Sequence, residues 1–250
     1  MSDLILVERR KSVATLTMNR PERKNALSRA LINALRETLL DQLNQNVTAI
    51  IITGSGGSFS AGADLNDIQG TIEDIVVDED MTELIKAIQA TPVPVIAAID
   101  GPCIGAAVDL CLGCDLRVAS RTAFFQVPAT RLGLLYNPAS IARIYGSVSH
   151  NTLVRLLVLG ERFDAETALK AGLVSHLTET GCSQPMAESL IEQSKNNDPY
   201  AVEATKGLLN ALANDQFNLE YWDQIRRSIL SSQKRKDAVA AAKAKLQRKN

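Results

Sequence analysis

Two runs of consecutive apolar residues constrain this chain most: Ala49-Ile50-Ile51-Ile52-Thr53 and Val95-Ile96-Ala97-Ala98-Ile99. Neither alternates apolar with polar residues, so neither suits a strand with one wet face; both read as strands covered on both sides. Helical periods lie between and around them. Leu27, Leu31, Leu35, Leu39 and Leu43 recur every fourth residue, and Ser28 has the chemistry of an N-cap. Met81, Leu84, Ile85 and Ile88 mark a second helix. Thr91-Pro92-Val93-Pro94 ends it, because proline has no N–H to donate. Gly105 to Leu112 reads as a third helix and Leu116 to Ala119 as a third strand. Buried strands alternating with helices predict an α/β architecture with parallel strands and helical crossovers.

The two ends of the chain differ from this middle. Leu4 to Arg9 and Val13 to Met18 flank Arg10-Lys11 and read as a hairpin. Strand signals fade after about residue 135. Asp164 caps a short helix closed by Gly172, and Asp198-Pro199 opens another with proline in its first turn. The remainder reads as helical, which divides the chain into a core of 1–197 and a C-terminal helical region of 198–250.

Composition excludes several classes of function. With 46% hydrophobic and 22% charged residues the chain has the balance of an ordinary globular protein. A net charge of −1 gives no field toward nucleic acid or an anionic membrane, and 4% aromatics give no base-stacking surface. The lysine- and arginine-rich stretch from Lys234 to Asn250 then reads as a solvated helix face. Val93 to Val118 is interrupted by Asp100, Pro102, Asp109 and Asp115 and does not suit a membrane span.

The N-terminus lacks a basic region followed by an apolar core, and Arg248-Lys249-Asn250 is not a peroxisomal tripeptide, so a cytoplasmic location is expected. Cys103, Cys111, Cys114 and Cys182 read as free thiols of a reducing compartment. The C-x-x-C at 111–114 has no second ligand pair, and His150 and His176 have no ligand partners nearby, so no metal is expected. No G-x-S-x-G, G-K-[ST] or complete G-x-G-x-x-G is present.

Two loops stand out at the carboxyl ends of the apolar strands, where α/β sheets gather ligands. They are Ser58-Phe59-Ser60-Ala61-Gly62-Ala63-Asp64-Leu65 and Asp100-Gly101-Pro102-Cys103-Ile104-Gly105-Ala106-Ala107-Val108-Asp109-Leu110. Their small residues let a ligand approach the backbone. The second opens a helix, whose first N–H groups lack partners and carry partial positive charge. The same small residues also serve close helix–strand packing, and either loop alone accommodates both readings.

Taken in order, five segments resemble the crotonase superfamily, across residues 5–175. They are Arg23-Lys24-Asn25-Ala26-Leu27; Phe59 to Leu65; Ala98-Ile99-Asp100-Gly101 with Gly105-Ala106-Ala107; Cys114-Asp115-Leu116-Arg117; and Ala168 to Val174. The resemblance implies a spiral of β-β-α units with a helical C-terminal region that forms a homotrimer or a dimer of trimers. It implies an enoyl-CoA hydratase/isomerase-like enzyme acting on an acyl-CoA thioester, with coenzyme A arriving as part of the substrate and no other cofactor. It carries two oxyanion-hole N–H groups over to Ala63 and Ala106. It carries coenzyme A contacts over to Lys24, Ala26, Leu27, Ala61, Ala63, Asp64 and Leu65. Lys24 also reads as a solvated loop lysine, and Asp64 as a cap of the following turn.

The acids decide the chemistry. Hydratases of this superfamily use two glutamates. Asp109 stands at the first position, three residues after Ala106, and is the expected acid/base; a first-turn aspartate that only stabilises its helix is the other reading. Ala129 stands at the second position and has no proton to give. Gly105 to Leu110 is similar to the dienoyl-CoA isomerase helix, whose two further acids match Ala129 and Asn137. Leu132 to Asn137 is similar to methylmalonyl-CoA decarboxylase, whose tyrosine matches Tyr136 but whose histidine falls at Ala63. Tyr136 and Arg131 are candidate polar groups over the acyl chain, or packing residues. The alternatives are therefore a decarboxylase using Tyr136 and a catalytically reduced acyl-CoA-binding member lacking the second acid. Asn66 to Asp80, acidic but carrying Ile68, Ile72, Ile75, Val76 and Val77, is expected to help wall the acyl pocket.

Overall fold

A computed structural model describes residues 3–247; Met1-Ser2 and the Arg248-Lys249-Asn250 end lie outside them. The strands are β1 (Ile5–Arg10), β2 (Val13–Met18), β3 (Ala49–Gly54), β4 (Val95–Ile99), β5 (Pro102–Ile104), β6 (Leu116–Ser120), β7 (Phe124–Gln126), β8 (Phe163–Asp164) and β9 (His176–Thr178). The helices are α1 (Arg29–Leu43), α2 (Ile75–Ala90), α3 (Ala106–Gly113), α4 (Pro138–Tyr145), α5 (His150–Leu153), α6 (Ala165–Lys170), α7 (Ser183–Ser194), α8 (Pro199–Ala213), α9 (Leu219–Ser231) and α10 (Gln233–Gln247).

Six strands form the main sheet in the order β1-β2-β3-β4-β6-β9. Only β1 and β2 pair antiparallel, as the hairpin at Arg10-Lys11 requires; every other pair is parallel. The two apolar runs explain why. Ile50 and Ile52 of β3, with Val95, Ala97 and Ile99 of β4, face the main core, which also takes Leu31, Ile32, Leu35 and Leu39 of α1 and Leu84, Ile85 and Ile88 of α2. Ala49, Ile51, Ile96 and Ala98 face the other way, onto Ala187 and Ile191 of α7. Each strand is apolar at consecutive positions because each has two covered faces. Ser28 caps α1, its hydroxyl accepting from Leu31 N–H at 3.3 Å.

Two features correct the sequence reading. Strands do continue beyond residue 135: β9 extends the main sheet beside β6, and β8 joins β5 and β7 in a second, three-stranded sheet. These strands have two or three residues each, too short for period-2 alternation to register.

Two compact units are present, Met1–Lys195 and Asn196–Asn250. The second contains α8, α9 and α10. Gly207 of α8 lets the Trp222 ring of α9 approach, since a Cβ there would lie 3.1 Å from the ring. Leu209, Leu212, Phe217, Leu219, Tyr221 and Leu230 of this unit are exposed, as are Lys234, Arg235 and Lys236. Among the described residues no helix is long and apolar enough to cross a membrane.

Candidate active site

The two small-residue loops lie side by side. Ser60 bridges to Cys103 in parallel fashion, with Ser60 N–H donating to Pro102 O at 2.9 Å and Ile104 N–H to Ser60 O at 3.1 Å. On its other side the first loop pairs with Leu27, whose N–H donates to Gly62 O at 2.7 Å and whose carbonyl accepts from Asp64 N–H at 3.2 Å. The N–H groups of Ala61 and Gly62 are also taken, by Lys24 O and Ser60 Oγ. Ala63 N–H is left without a partner among the described residues.

Ala106 N–H is left in the same condition for a different reason. Ala106 is the first residue of α3, where no preceding turn supplies an acceptor. Gly105 ahead of it has φ +56° and ψ −121°, a backbone conformation natural only to glycine. Gly62 has φ +90°, and a Cβ on it would lie 2.4 Å from Ile104 O and 3.6 Å from Ala106 N. The loops therefore touch where the two unpartnered N–H groups sit, at the positive end of a helix dipole.

A polar brace holds the first loop. Asn25 is fully buried; its Oδ1 accepts from Arg20 N–H at 2.9 Å, and its Nδ2 donates to Ser55 O at 2.9 Å and Ser58 O at 2.7 Å. Arg20 Nη1 donates to Ala26 O and to Asp64 Oδ2, both at 2.8 Å. Burial pushes the Asp64 carboxyl upward, but the Asn66 N–H and the Arg20 guanidinium outweigh it and hold the group below the usual carboxylate range. Asp64 is thus occupied by Arg20 and Asn66, and the Leu27 side chain is buried in the core. Lys24 and Leu65 are exposed, while Ala26, Ala61 and Ala63 are half-buried.

Asp109 projects from α3 toward α4 and is only 5% exposed. Its Oδ2 accepts from Ser140 Oγ at 2.5 Å, and its Oδ1 accepts from Arg143 Nη2. Asn137 caps α4 by accepting from Ala139 N–H at 2.9 Å, with Pro138 in the first turn. Ser140 and Arg143, three residues apart, then share one face of α4. Burial raises the Asp109 carboxyl; the Arg143 charge and the Ser140 hydroxyl oppose this without cancelling it. The sequence reading passed over both residues; their signal is the Asn-Pro helix start with a three-residue polar spacing.

The remaining candidates take separate places. Tyr136 donates its hydroxyl to Gly105 O at 3.0 Å, and burial raises its phenol well above the usual range, the charge of Asp109 adding to the effect. Ala129 is buried at the start of a single 3₁₀ turn, Ala129–Leu132. Arg131 donates to Gly160 O at 3.1 Å. A cleft of about 600 Å³ runs between α2 and the start of α4, lined by Ile75, Asp78, Glu79, Thr82, Asn137 and Pro138 among others. Burial raises the Asp78 carboxyl, and the charge of Asp109 raises it further.

The sequence profile of the enoyl-CoA hydratase/isomerase family matches residues 8–247. The chain belongs to that family, within the crotonase superfamily. It is 34% identical over 207 residues to the "Probable enoyl-CoA hydratase echA6" of Mycobacterium bovis, covering 83% of this chain and 82% of the relative. It is 33% identical over 210 residues to the 2,3-dehydroadipyl-CoA hydratase of Escherichia coli, covering 84% and 82%. An enoyl-CoA hydratase/isomerase family protein from Hyphomonas neptunium superposes with a TM-score of 0.90 at 28% identity, covering 97% of this chain and 95% of that one. The protein is an enoyl-CoA hydratase/isomerase-like enzyme, and its α/β core with a helical C-terminal region is the crotonase fold.

Proposed function

We propose that this family member binds an acyl-CoA thioester with its carbonyl oxygen between the Ala63 and Ala106 N–H groups, and that Asp109 moves the α-proton. The observation that carries the reading is the meeting of two unpartnered backbone donors from adjacent loops, one of them opening the helix that carries Asp109. Such donors gain most when the carbonyl becomes an enolate, because charge develops where they already point. Asp109, ionised, takes the α-proton; the electron pair moves onto the oxygen; Asp109 returns the proton to carbon. Tyr136 and Arg20 act on the loops rather than on the substrate, through Gly105 O and Asp64.

With a methyl at Ala129, one carboxylate handles both proton steps. That favours isomerisation, where a proton leaves one carbon and returns to another, over hydration, which also needs an activated water. Lys24, Ala26, Ala61 and Leu65 border the thioester as coenzyme A contacts. The E. coli relative, named for a 2,3-dehydroadipyl-CoA thioester, supports this substrate class. The exposed apolar residues of the C-terminal unit support its use in a homotrimer or a dimer of trimers. A second reading, an acyl-CoA-binding member without turnover, is favoured by the engagement of both Asp109 oxygens.

The test is to incubate the protein with crotonyl-CoA, a 3-enoyl-CoA, a 3,5-dienoyl-CoA and methylmalonyl-CoA and to follow products by chromatography and mass spectrometry. Double-bond migration in an enoyl or dienoyl thioester supports the reading. Gain of water or loss of CO₂ replaces isomerisation with hydration or decarboxylation. Tight binding without turnover of any of them supports the second reading.

A further inference from the structure

We infer that Arg143 is a positioning residue for the reaction: with Ser140 it holds Asp109 in one orientation and in its charged form, one helical turn from Ala106. The inference rests on the reading of Asp109 as the acid/base. A carboxylate this deeply buried is costly to ionise unless paired and hydrogen-bonded. Arg143 and Ser140 supply both conditions from a single face of α4, one to each carboxylate oxygen. Each oxygen keeps a further lone pair for a proton.

The groups that face Asp109 from other elements do not share this work. Asp78 of α2 is itself raised by burial and by the charge of Asp109, so it offers no counter-charge. Tyr136, whose phenol feels the charge of Asp109, is neutral when protonated, and burial raises it well above its usual range. Arg143 is the cation that acts on Asp109 among the described residues. Its side chain is 11% exposed, and its Nε–H is buried without a partner. A buried unmet donor is costly and calls for a reason. Holding the charge against Asp109 is that reason.

The experiment follows α-hydrogen exchange of butyryl-CoA in D₂O by mass spectrometry, because exchange needs only the enolate step and not the natural acyl group. Wild type, Asp109→Asn, Arg143→Gln and Arg143→Lys are compared across pD. Without the cation, burial raises Asp109 with less to oppose it, so the acidic limb of the Arg143→Gln profile moves up by about one unit or more. Its plateau rate falls roughly tenfold or more, while half-saturating butyryl-CoA stays within about threefold. Arg143→Lys restores the limb but not the whole plateau, since an ammonium lacks the planar geometry of guanidinium. Should Arg143→Gln be too unstable to assay, Arg143→Lys decides: a kept limb with a lowered plateau supports the inference, and an unchanged plateau overturns it. An unchanged profile in folded Arg143→Gln, with Asp109→Asn inactive, overturns the role of Arg143 and leaves that of Asp109 standing. Exchange that survives in Asp109→Asn, or is absent from wild type, removes the acid/base reading and this inference with it.

Discussion

Gly62 sits against Ile104 so closely that a Cβ on it would come within 2.4 Å of Ile104 O, with the Ala106 nitrogen at contact distance, 3.6 Å. The gap between the two loops is therefore set by an absent side chain, and with it the spacing of the Ala63 and Ala106 N–H groups.

Gly62→Ala consequently has two expected effects. The loops must part, and a residue with a Cβ must hold φ +90°, a conformation that costs about 1–3 kcal/mol. If the two N–H groups bind the developing enolate, losing their spacing is comparable to losing one donor, roughly 10²–10³-fold in turnover. Thermal unfolding and steady-state kinetics on a turned-over acyl-CoA read the two effects separately. A destabilised variant with wild-type turnover would show that these N–H groups do not touch the transition state.

Asp109→Asn keeps the shape and removes the base. Acyl-CoA binding, measured by calorimetry, should persist, and turnover should fall by about 10²–10⁴-fold. The wild-type pH profile carries the same information. The folded Asp109 carboxyl lies above its ordinary range, so activity should rise with pH through a limb higher than a free aspartate would give. The sign for stability is opposite: a raised carboxyl contributes stability at low pH that is lost as pH rises through the folded value. An Asn variant that turns over at the wild-type rate removes Asp109 from the mechanism.

Tyr136→Phe separates the decarboxylase alternative from the enolate reading. The hydroxyl donates to Gly105 O, a neutral hydrogen bond worth about 1 kcal/mol. Turnover should therefore change by less than roughly tenfold, with a small loss of stability. A loss of several orders of magnitude, confined to CO₂ release from methylmalonyl-CoA, would instead assign Tyr136 to the substrate.

The legible part of this protein is the part with long periods. The fourfold leucine spacing of α1 and the two-sided apolar runs of β3 and β4 reflect burial over many residues, so they survive in the sequence. The glycines and alanines of the two loops were legible as small residues, but their pairing with Leu27 and with each other depends on contacts about 35–45 residues apart. The second sheet was not legible because β5, β7 and β8 are each stabilised by their neighbours rather than by an internal pattern. The partners of Asp109 were missed for a related reason. Ser140 and Arg143 lie about 30 residues beyond it on a two-turn helix, and only the fold brings α4 against α3.

The Arg20–Asp64 pair gives the last prediction, and it concerns acid stability. Asp64 is held below the ordinary carboxylate range by Asn66 N–H and Arg20 against the opposing pull of burial. A depressed carboxyl contributes stability that is present above its unfolded value and lost as pH falls through its folded value. Wild type should therefore weaken as pH drops below about 4. Arg20→Met removes the cation and leaves Asp64, with a side chain only 8% exposed, without its charged partner. The variant should lose about 3 kcal/mol at neutral pH, the usual scale for breaking a buried pair. Its stability should also fall less steeply through the acidic range, because less of the Asp64 contribution remains to lose. Denaturant midpoints at pH 7 and pH 4 measure both quantities. Equal losses at the two pH values would place the Arg20 effect in its bond to Ala26 O rather than in the pair with Asp64.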